Sequence, residues 1–303
     1  MTVDFRPSLW LHRLVPWAAA LGALHLSLVA ALWWGQEGLL FHPEPLPLDH
    51  RFDFGPDVHE TWVEVPGARI NALHLRLPDP EGVVLFLHGN AGNLETWFTA
   101  APAFRRANFD LVMPDYRGFG KSTGRIEGQA QLEADVRAVW DAVSSAYQGK
   151  RRVIYGRSLG TGLAALLAAQ VQPDLTVLVS PYQSMAVLAA EKYPWVPGAV
   201  LRYPLRTDWA LRLVKTPALL FHGDRDTLIP PVHSVRLQEL IPGATLRWVA
   251  GAGHDDLHGF SAYLGALGAA LASLGEGDEG AQPRSLPDPT GAADPGGQGA
   301  GDR

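Results

Sequence analysis

A chain of 303 residues with 47% hydrophobic and 18% charged content can bury one large core and is too apolar to be disordered throughout. Its formal charge of −6 offers no basic surface for nucleic acid. With no cysteine, it has no thiol nucleophile, disulfide, iron–sulfur cluster or thiolate-bound metal, so a nucleophile must be oxygen or nitrogen.

The first 36 residues read as a membrane segment. Between Arg13 and Glu37 lie 23 residues without formal charge, long enough to cross a hydrocarbon core of about 30 Å. Trp10 and Trp17 flank one end and Trp33 and Trp34 the other, the pattern of an interfacial aromatic belt. Arg6, His12 and Arg13 precede the stretch and Asp4 is the only acid there, which places the N-terminus in the cytoplasm and the remainder on the outer face. A cleaved signal peptide, leaving a secreted protein, and a helix packed on the domain are the alternatives. The stretch exceeds a usual signal h-region and lacks a small-x-small site, so a retained anchor is expected.

From residue 37 to 274 strand-like and helix-like runs alternate. HETWVEV and RINALHLRL alternate with period two and predict an antiparallel pair at a sheet edge. VVLFLHG, DLVMPD, RVIYG, LTVLVS, PALLFHG and TLRWV are short apolar runs of the kind buried on both faces. Helices are predicted near 94–107, 128–146, 159–171, 232–241 and 257–274. This alternation implies an α/β domain with a mostly parallel sheet covered by helices on both faces, its chemistry at the carboxyl ends of the strands. Residues 275–303 hold eight glycines and four prolines and predict a disordered acidic tail.

Gly156-Arg157-Ser158-Leu159-Gly160 follows a predicted strand and opens an apolar helix. A serine held on a tight strand-to-helix turn needs small residues two positions away on each side, because side chains there would strike neighbouring backbone. A serine hydroxyl is a poor nucleophile and needs a base, and the base needs an orienting acid. In a strand-based arrangement both follow the serine, acid first, in loops after later strands. Asp226 of HGDRD and His254 of GAGHDD fit that order, with Asp224 as rival acid and His258, expected at the surface or rim, as rival base. The oxyanion donors are expected from the amides of Leu159 and Asn90, with Ala91 as runner-up for the second. His88 reads as a structural brace for the Asn90 loop. The G-x-G-K-S run at 118–122 lacks P-loop spacing and reads as an ordered loop beside the site. Tyr182, Trp195 and Tyr203 either line a substrate pocket or pack in the core.

The set HGNAGN, DYRGFGKSTG, YGRSLGTG, HGDRD and GAGHDD, in that order, resembles the α/β-hydrolase superfamily over roughly residues 40–272. It is most similar to the membrane-anchored serine hydrolases of the Bem46 and ABHD12/13/17-like group, to which Leu40-Phe41-His42-Pro43 and SPYQSM also correspond. The resemblance implies an eight-stranded α/β-hydrolase fold with a short lid insertion and a triad of Ser158, Asp226 and His254. It also implies an ester or thioester hydrolase acting on a small-molecule or lipid acyl substrate, or on an acylated protein. No metal or organic cofactor is expected. An amidase or peptidase with the same triad, and a catalytically silent membrane-tethered interaction protein, are the competing readings.

Overall fold

The computed structural model describes residues 7–275, with side chains from 14 to 274; the predicted tail from 276 onward lies outside the described residues. Helix α1 (Pro7–Trp34) contains an apolar stretch, Leu14–Trp34, of 21 residues with mean hydropathy 1.7. At about 1.5 Å per residue that stretch is roughly 32 Å long. None of it is buried against the rest of the chain, so the helix fits a membrane anchor better than a packed core helix. A short helix, α2 (Gln36–Leu40), follows directly.

The domain contains β1 (Val58–Val65), β2 (Ala68–Leu75), β3 (Gly82–Leu87), α3 (Leu94–Trp97), α4 (Ala101–Arg106), β4 (Phe109–Pro114), α5 (Gln129–Ser144) and β5 (Arg151–Arg157). It continues with α6 (Gly160–Val171), β6 (Leu175–Val179), α7 (Met185–Lys192), α8 (Thr207–Leu211), β7 (Ala218–Gly223), α9 (Val232–Gln238), β8 (Thr245–Val249) and α10 (Ser261–Gly275). All eight predicted strands form one sheet in the order β1-β2-β4-β3-β5-β6-β7-β8. The edge pair β1/β2 and the pair β2/β4 are antiparallel and the rest parallel.

Along β3 the side chains alternate: Val83, Leu85 and Leu87 join one hydrophobic cluster with Leu163 and Ala164 of α6, while Val84 and Phe86 join a second with Phe104 of α4. Every residue of β3 is buried, which is why this strand reads as a continuous apolar run in the sequence. The Phe86 and Tyr155 rings stack at 4.2 Å on the second face.

Two helices differ from the sequence expectation. The run 94–107 is broken into α3, a 3-10 turn (Phe98–Ala100) and α4. Pro102 lies in the first turn of α4, where a missing N–H costs nothing, and not inside a continuous helix, where its ring would clash. The run 257–274 divides at Phe260, whose extended backbone separates a 3-10 turn (Leu257–Gly259) from α10. Helices α7 and α8 lie in the insertion between β6 and β7.

Chain order places β4 on one side of β3 and β5 on the other, so the sheet reverses direction beside β3. At such a switch point the loops leaving adjacent strands diverge and open a crevice at the carboxyl ends. Leu87 pairs with Gly156 there, bringing the Asn90 loop beside the Ser158 turn, and Gly223 pairs with Val249, bringing the loops of Asp226 and His254 together.

Candidate active site

Ser158 has φ +50°, in the left-handed region, on the turn between β5 and α6. Its amide donates to the Val179 carbonyl at 3.0 Å, and its carbonyl accepts from the Thr161 amide at 2.9 Å and the Thr161 hydroxyl at 2.6 Å. These bonds hold the serine in a conformation that costs an L residue about 1–3 kcal/mol. The flanking glycines make the turn sterically feasible. A Cβ on Gly156 would come within 2.6 Å of the Ala164 Cβ, and one on Gly160 would run into the Leu87 carbonyl of β3.

The structure brings the three residues predicted from spacing into hydrogen-bond contact. The Ser158 hydroxyl donates to His254 Nε2 at 3.0 Å, and His254 Nδ1–H donates to Asp226 Oδ2 at 2.7 Å. Asp226 Oδ1 accepts from the Leu228 and Ile229 amides at 3.0 and 2.8 Å. Burial alone would raise the Asp226 pKa. Hydrogen bonds from His222, His254 and the Ile229 amide, with the charge of His254, overcome it and hold the carboxyl well below the usual carboxylate range. These contacts favour the carboxylate form of Asp226, which can orient the imidazole.

The rivals fall elsewhere. Asp224 is exposed and accepts from the Gly251 amide at 2.7 Å, shaping the loop and not the histidine. His258, expected at the surface or rim, is instead half-buried with Nε2 3.2 Å from the Tyr155 hydroxyl, because the 3-10 turn that carries it folds back onto β5. Burial first, then the charges of Arg157 and His254, lower its pKa to about 3, so it stays neutral.

Neither the Leu159 nor the Asn90 amide donates to an acceptor among the described residues, and both residues line a cavity of about 630 Å³ that also contains Ser158. Ala91, the runner-up, does not line that cavity. Backbone N–H groups free to face a reacting carbonyl are the requirement for stabilising an oxyanion. His88 is fully buried and braces the Asn90 loop as expected: its ring lies 4.5 Å from that of Tyr116, and its carbonyl accepts from the Tyr116 hydroxyl at 2.8 Å. The 115–122 loop supports the same region, for the Asp115 carboxylate lies 3.3 Å from His88 Nε2 and accepts from the Leu94 amide at 3.3 Å. Of the three aromatics left open by the sequence, Tyr182 and Trp195 line the cavity, whereas Tyr203 packs in the core edge-on to Phe41 at 5.0 Å.

Comparison with known proteins agrees with this architecture. The α/β-hydrolase fold family matches residues 82–206. Alpha/beta hydrolase domain-containing protein 17B of Homo sapiens is 30% identical over 206 residues, 65% of this chain and 69% of that protein. The chain belongs to the α/β-hydrolase family. An uncharacterised protein of Mycobacterium tuberculosis is also 30% identical, over an alignment of 256 residues that covers 80% of this chain and 89% of that one. Among solved structures, an esterase of Pyrococcus furiosus superposes with TM-score 0.59 at 19% identity, covering 77% of this chain and 98% of its own. Est1E of Butyrivibrio proteoclasticus, with ferulic acid bound, gives TM-score 0.58 at 18% identity over 71% and 97% of the two chains.

Two further residues of this α/β-hydrolase touch the constellation and were not singled out from sequence. Arg157, 2% exposed, donates from Nη2 to the His254 carbonyl and places Nη1 3.5 Å from His254 Nε2. Burial lowers its pKa, yet a guanidinium remains cationic in proteins. His222 lies under the acid: its Nε2–H is shared between the Ile229 carbonyl at 2.9 Å and Asp226 Oδ2 at 3.3 Å, and its Nδ1 accepts from the Ser234 hydroxyl at 2.6 Å. The signal for His222 was present in HGDRD, four positions before Asp226, but its direction was not.

The packing of the turn gives a direct test. Gly160→Ala is expected to destabilise the protein by about 3 kcal/mol or more, because the Leu87 carbonyl belongs to a central strand and cannot retreat. The unfolding midpoint of the detergent-solubilised chain should fall by roughly 10 °C. An unchanged midpoint would show that the turn has room the structure denies it.

Proposed function

We propose that the protein is a serine hydrolase that cleaves carboxylic esters or thioesters through an acyl-enzyme. The observation that carries this reading is the continuous hydrogen-bond chain from Ser158 through His254 to Asp226, beside a cavity lined by Leu159 and Asn90, whose amides meet no acceptor among the described residues. His254 takes the Ser158 proton as Oγ attacks the acyl carbonyl, and the Leu159 and Asn90 amides hold the resulting oxyanion. Collapse of the tetrahedral species breaks the bond to the leaving oxygen or sulfur, which receives the proton from His254. Water, deprotonated by the same imidazole, then attacks the acyl-serine; a second collapse releases the acid and returns the proton to Ser158. Every proton moves through His254, so the cycle balances without a further reagent.

The likeness to an esterase and to a ferulate-binding hydrolase supports ester chemistry, and the apolar lining of the cavity favours an acyl substrate, whether a small molecule, a lipid or an acylated protein. In this reading α1 is a retained single-pass anchor whose basic flank stays in the cytoplasm, with the hydrolase domain on the outer face.

A fluorophosphonate tests the reading because it needs an activated serine and mimics the tetrahedral species. The expected result is one phosphonate per chain, on the peptide that contains Ser158, with nitrophenyl butyrate hydrolysis lost in proportion to labelling. Full turnover after complete labelling, or a label on another serine, overturns the assignment.

A further inference from the structure

The cavity over Ser158 is not enclosed by the hydrolase domain alone. Part of its lining comes from the end of α1 and the residues after it, Leu32, Leu39 and Leu40; another part comes from Met185, Leu188 and Trp195 of the insertion between β6 and β7. These two parts are fixed to each other. The Gln36 side chain, 4% exposed, donates to the Val200 carbonyl at 2.9 Å and accepts from the Arg202 amide at 2.7 Å. Glu37 accepts from the Tyr203 hydroxyl at 2.7 Å and pairs with Arg202 at 2.6 Å, and the Arg202 guanidinium lies 5.8 Å from the Trp33 ring. Farther on, the Asn90 side chain donates to the Leu40 carbonyl, joining the anchor's exit to the loop that offers the second oxyanion amide.

This clamp determines where the cavity opens. Leu32 lies inside the apolar stretch Leu14–Trp34 and also lines the cavity, so with α1 as an anchor the cavity begins where the apolar stretch ends. Four large apolar side chains of the lining are exposed, Leu39, Tyr193, Trp195 and Leu228, at 60%, 55%, 49% and 48%, and His42 and Lys192 are the exposed polar residues beside them. Large apolar side chains gathered at one mouth are costly against water and favourable against lipid, and Trp and Tyr are the residues that settle at the headgroup level.

We propose that the active-site cavity is filled from the bilayer, the acyl tail of a single-chain amphiphile resident in the adjoining leaflet sliding between the end of α1 and the insertion until its ester or thioester carbonyl reaches Ser158. The proposal rests on the serine-hydrolase reading and on α1 as an anchor, and it adds the route and the wall that selects the tail. The tail exchanges one apolar environment for another, so its length adds little to the cost of transfer. A site fed from water behaves differently. Free monomer falls about fourfold for each added methylene, which is about 0.8 kcal/mol, and capture cannot exceed the diffusional ceiling.

The test uses the full chain reconstituted in phosphatidylcholine vesicles that carry methylumbelliferyl octanoate or palmitate at one fixed mole fraction, with the soluble butyrate as reference. The expected result is a palmitate rate within about tenfold of the octanoate rate. A larger fall, with butyrate hydrolysis intact, overturns the bilayer route alone. Absence of butyrate hydrolysis, or its survival in Ser158→Ala, overturns the serine-hydrolase reading and the proposal with it. Ala189→Trp, which adds bulk to the α7 wall, is expected to lower the ratio of palmitate to butyrate turnover at least about tenfold. An unchanged ratio removes the tail from that wall.

Discussion

Ser158→Ala is expected to lower kcat for a soluble acyl ester by at least about 10⁴-fold, with KM changed by less than about threefold. The substitution removes the one oxygen that, among the described residues, hydrogen-bonds His254 Nε2, and it leaves the Leu159 and Asn90 amides where they are. Binding and oxyanion stabilisation therefore survive, and they account for the residual rate over water that triad-deleted hydrolases retain. Alanine removes an oxygen and adds nothing, but it must still occupy φ +50°, as any non-glycine residue here must. Folding should thus match wild type, and a thermal midpoint within about 2 °C separates lost chemistry from lost structure. A fall in kcat of only tenfold would mean that water activated directly by His254 carries the reaction and that Ser158 is a binding group.

How much of this was visible in the sequence depends on the range of the interaction. Most of the eight strands were legible because β3, β4, β6 and β7 are buried along their whole length and so carry mostly apolar residues, whereas β1 at the sheet edge keeps polar residues toward water. Strand β2, which alternates in sequence, is nearly all buried, with Asn71 and Ala72 inside, and β8, an apolar run in sequence, lies at the other edge largely exposed or half-buried. The Ser158 turn was legible because its glycines answer a local steric demand, and the order of Asp226 and His254 because each follows a strand. The breaks at Pro102 and Phe260 were harder. Apolar periodicity continues across both; Pro102 was a local signal for the first that the periodicity masked, and nothing local marks the second. Arg157 read as an unremarked position in a motif, since its partner His254 lies 97 residues away and no spacing rule links them. Gln36 was equally silent. A lone amide at the end of an apolar run shows no sign that two backbone groups at residues 200 and 202 await it.

Asp226→Asn should lower kcat by about 10⁴-fold near neutral pH, although it changes one atom. The reason lies in what the other carboxylate oxygen is doing. The Leu228 and Ile229 amides both point at Oδ1 and require an acceptor there, so the new carboxamide must place its oxygen toward them and its NH₂ toward His254 and His222. Turning the amide over would set a donor against two backbone donors at about 3 Å, a cost of roughly 1–3 kcal/mol for each group left unpaired. With NH₂ facing it, His254 Nδ1 must accept, the proton moves to Nε2, and the imidazole has no lone pair left for the Ser158 hydroxyl. The expected signature is a collapse of kcat with KM nearly constant and a much slower reaction with fluorophosphonate. Stability supplies an independent readout with a defined sign. Because the folded-state pKa of Asp226 is depressed, its ionisation stabilises the native protein above the unfolded carboxylate value of about 3.9, and that contribution disappears as pH falls toward the folded value. Below about pH 4 the wild-type midpoint should therefore drop more steeply than that of Asp226→Asn. Parallel acid profiles for the two proteins would mean that the carboxylate is not held ionised by the imidazoles and amides that surround it.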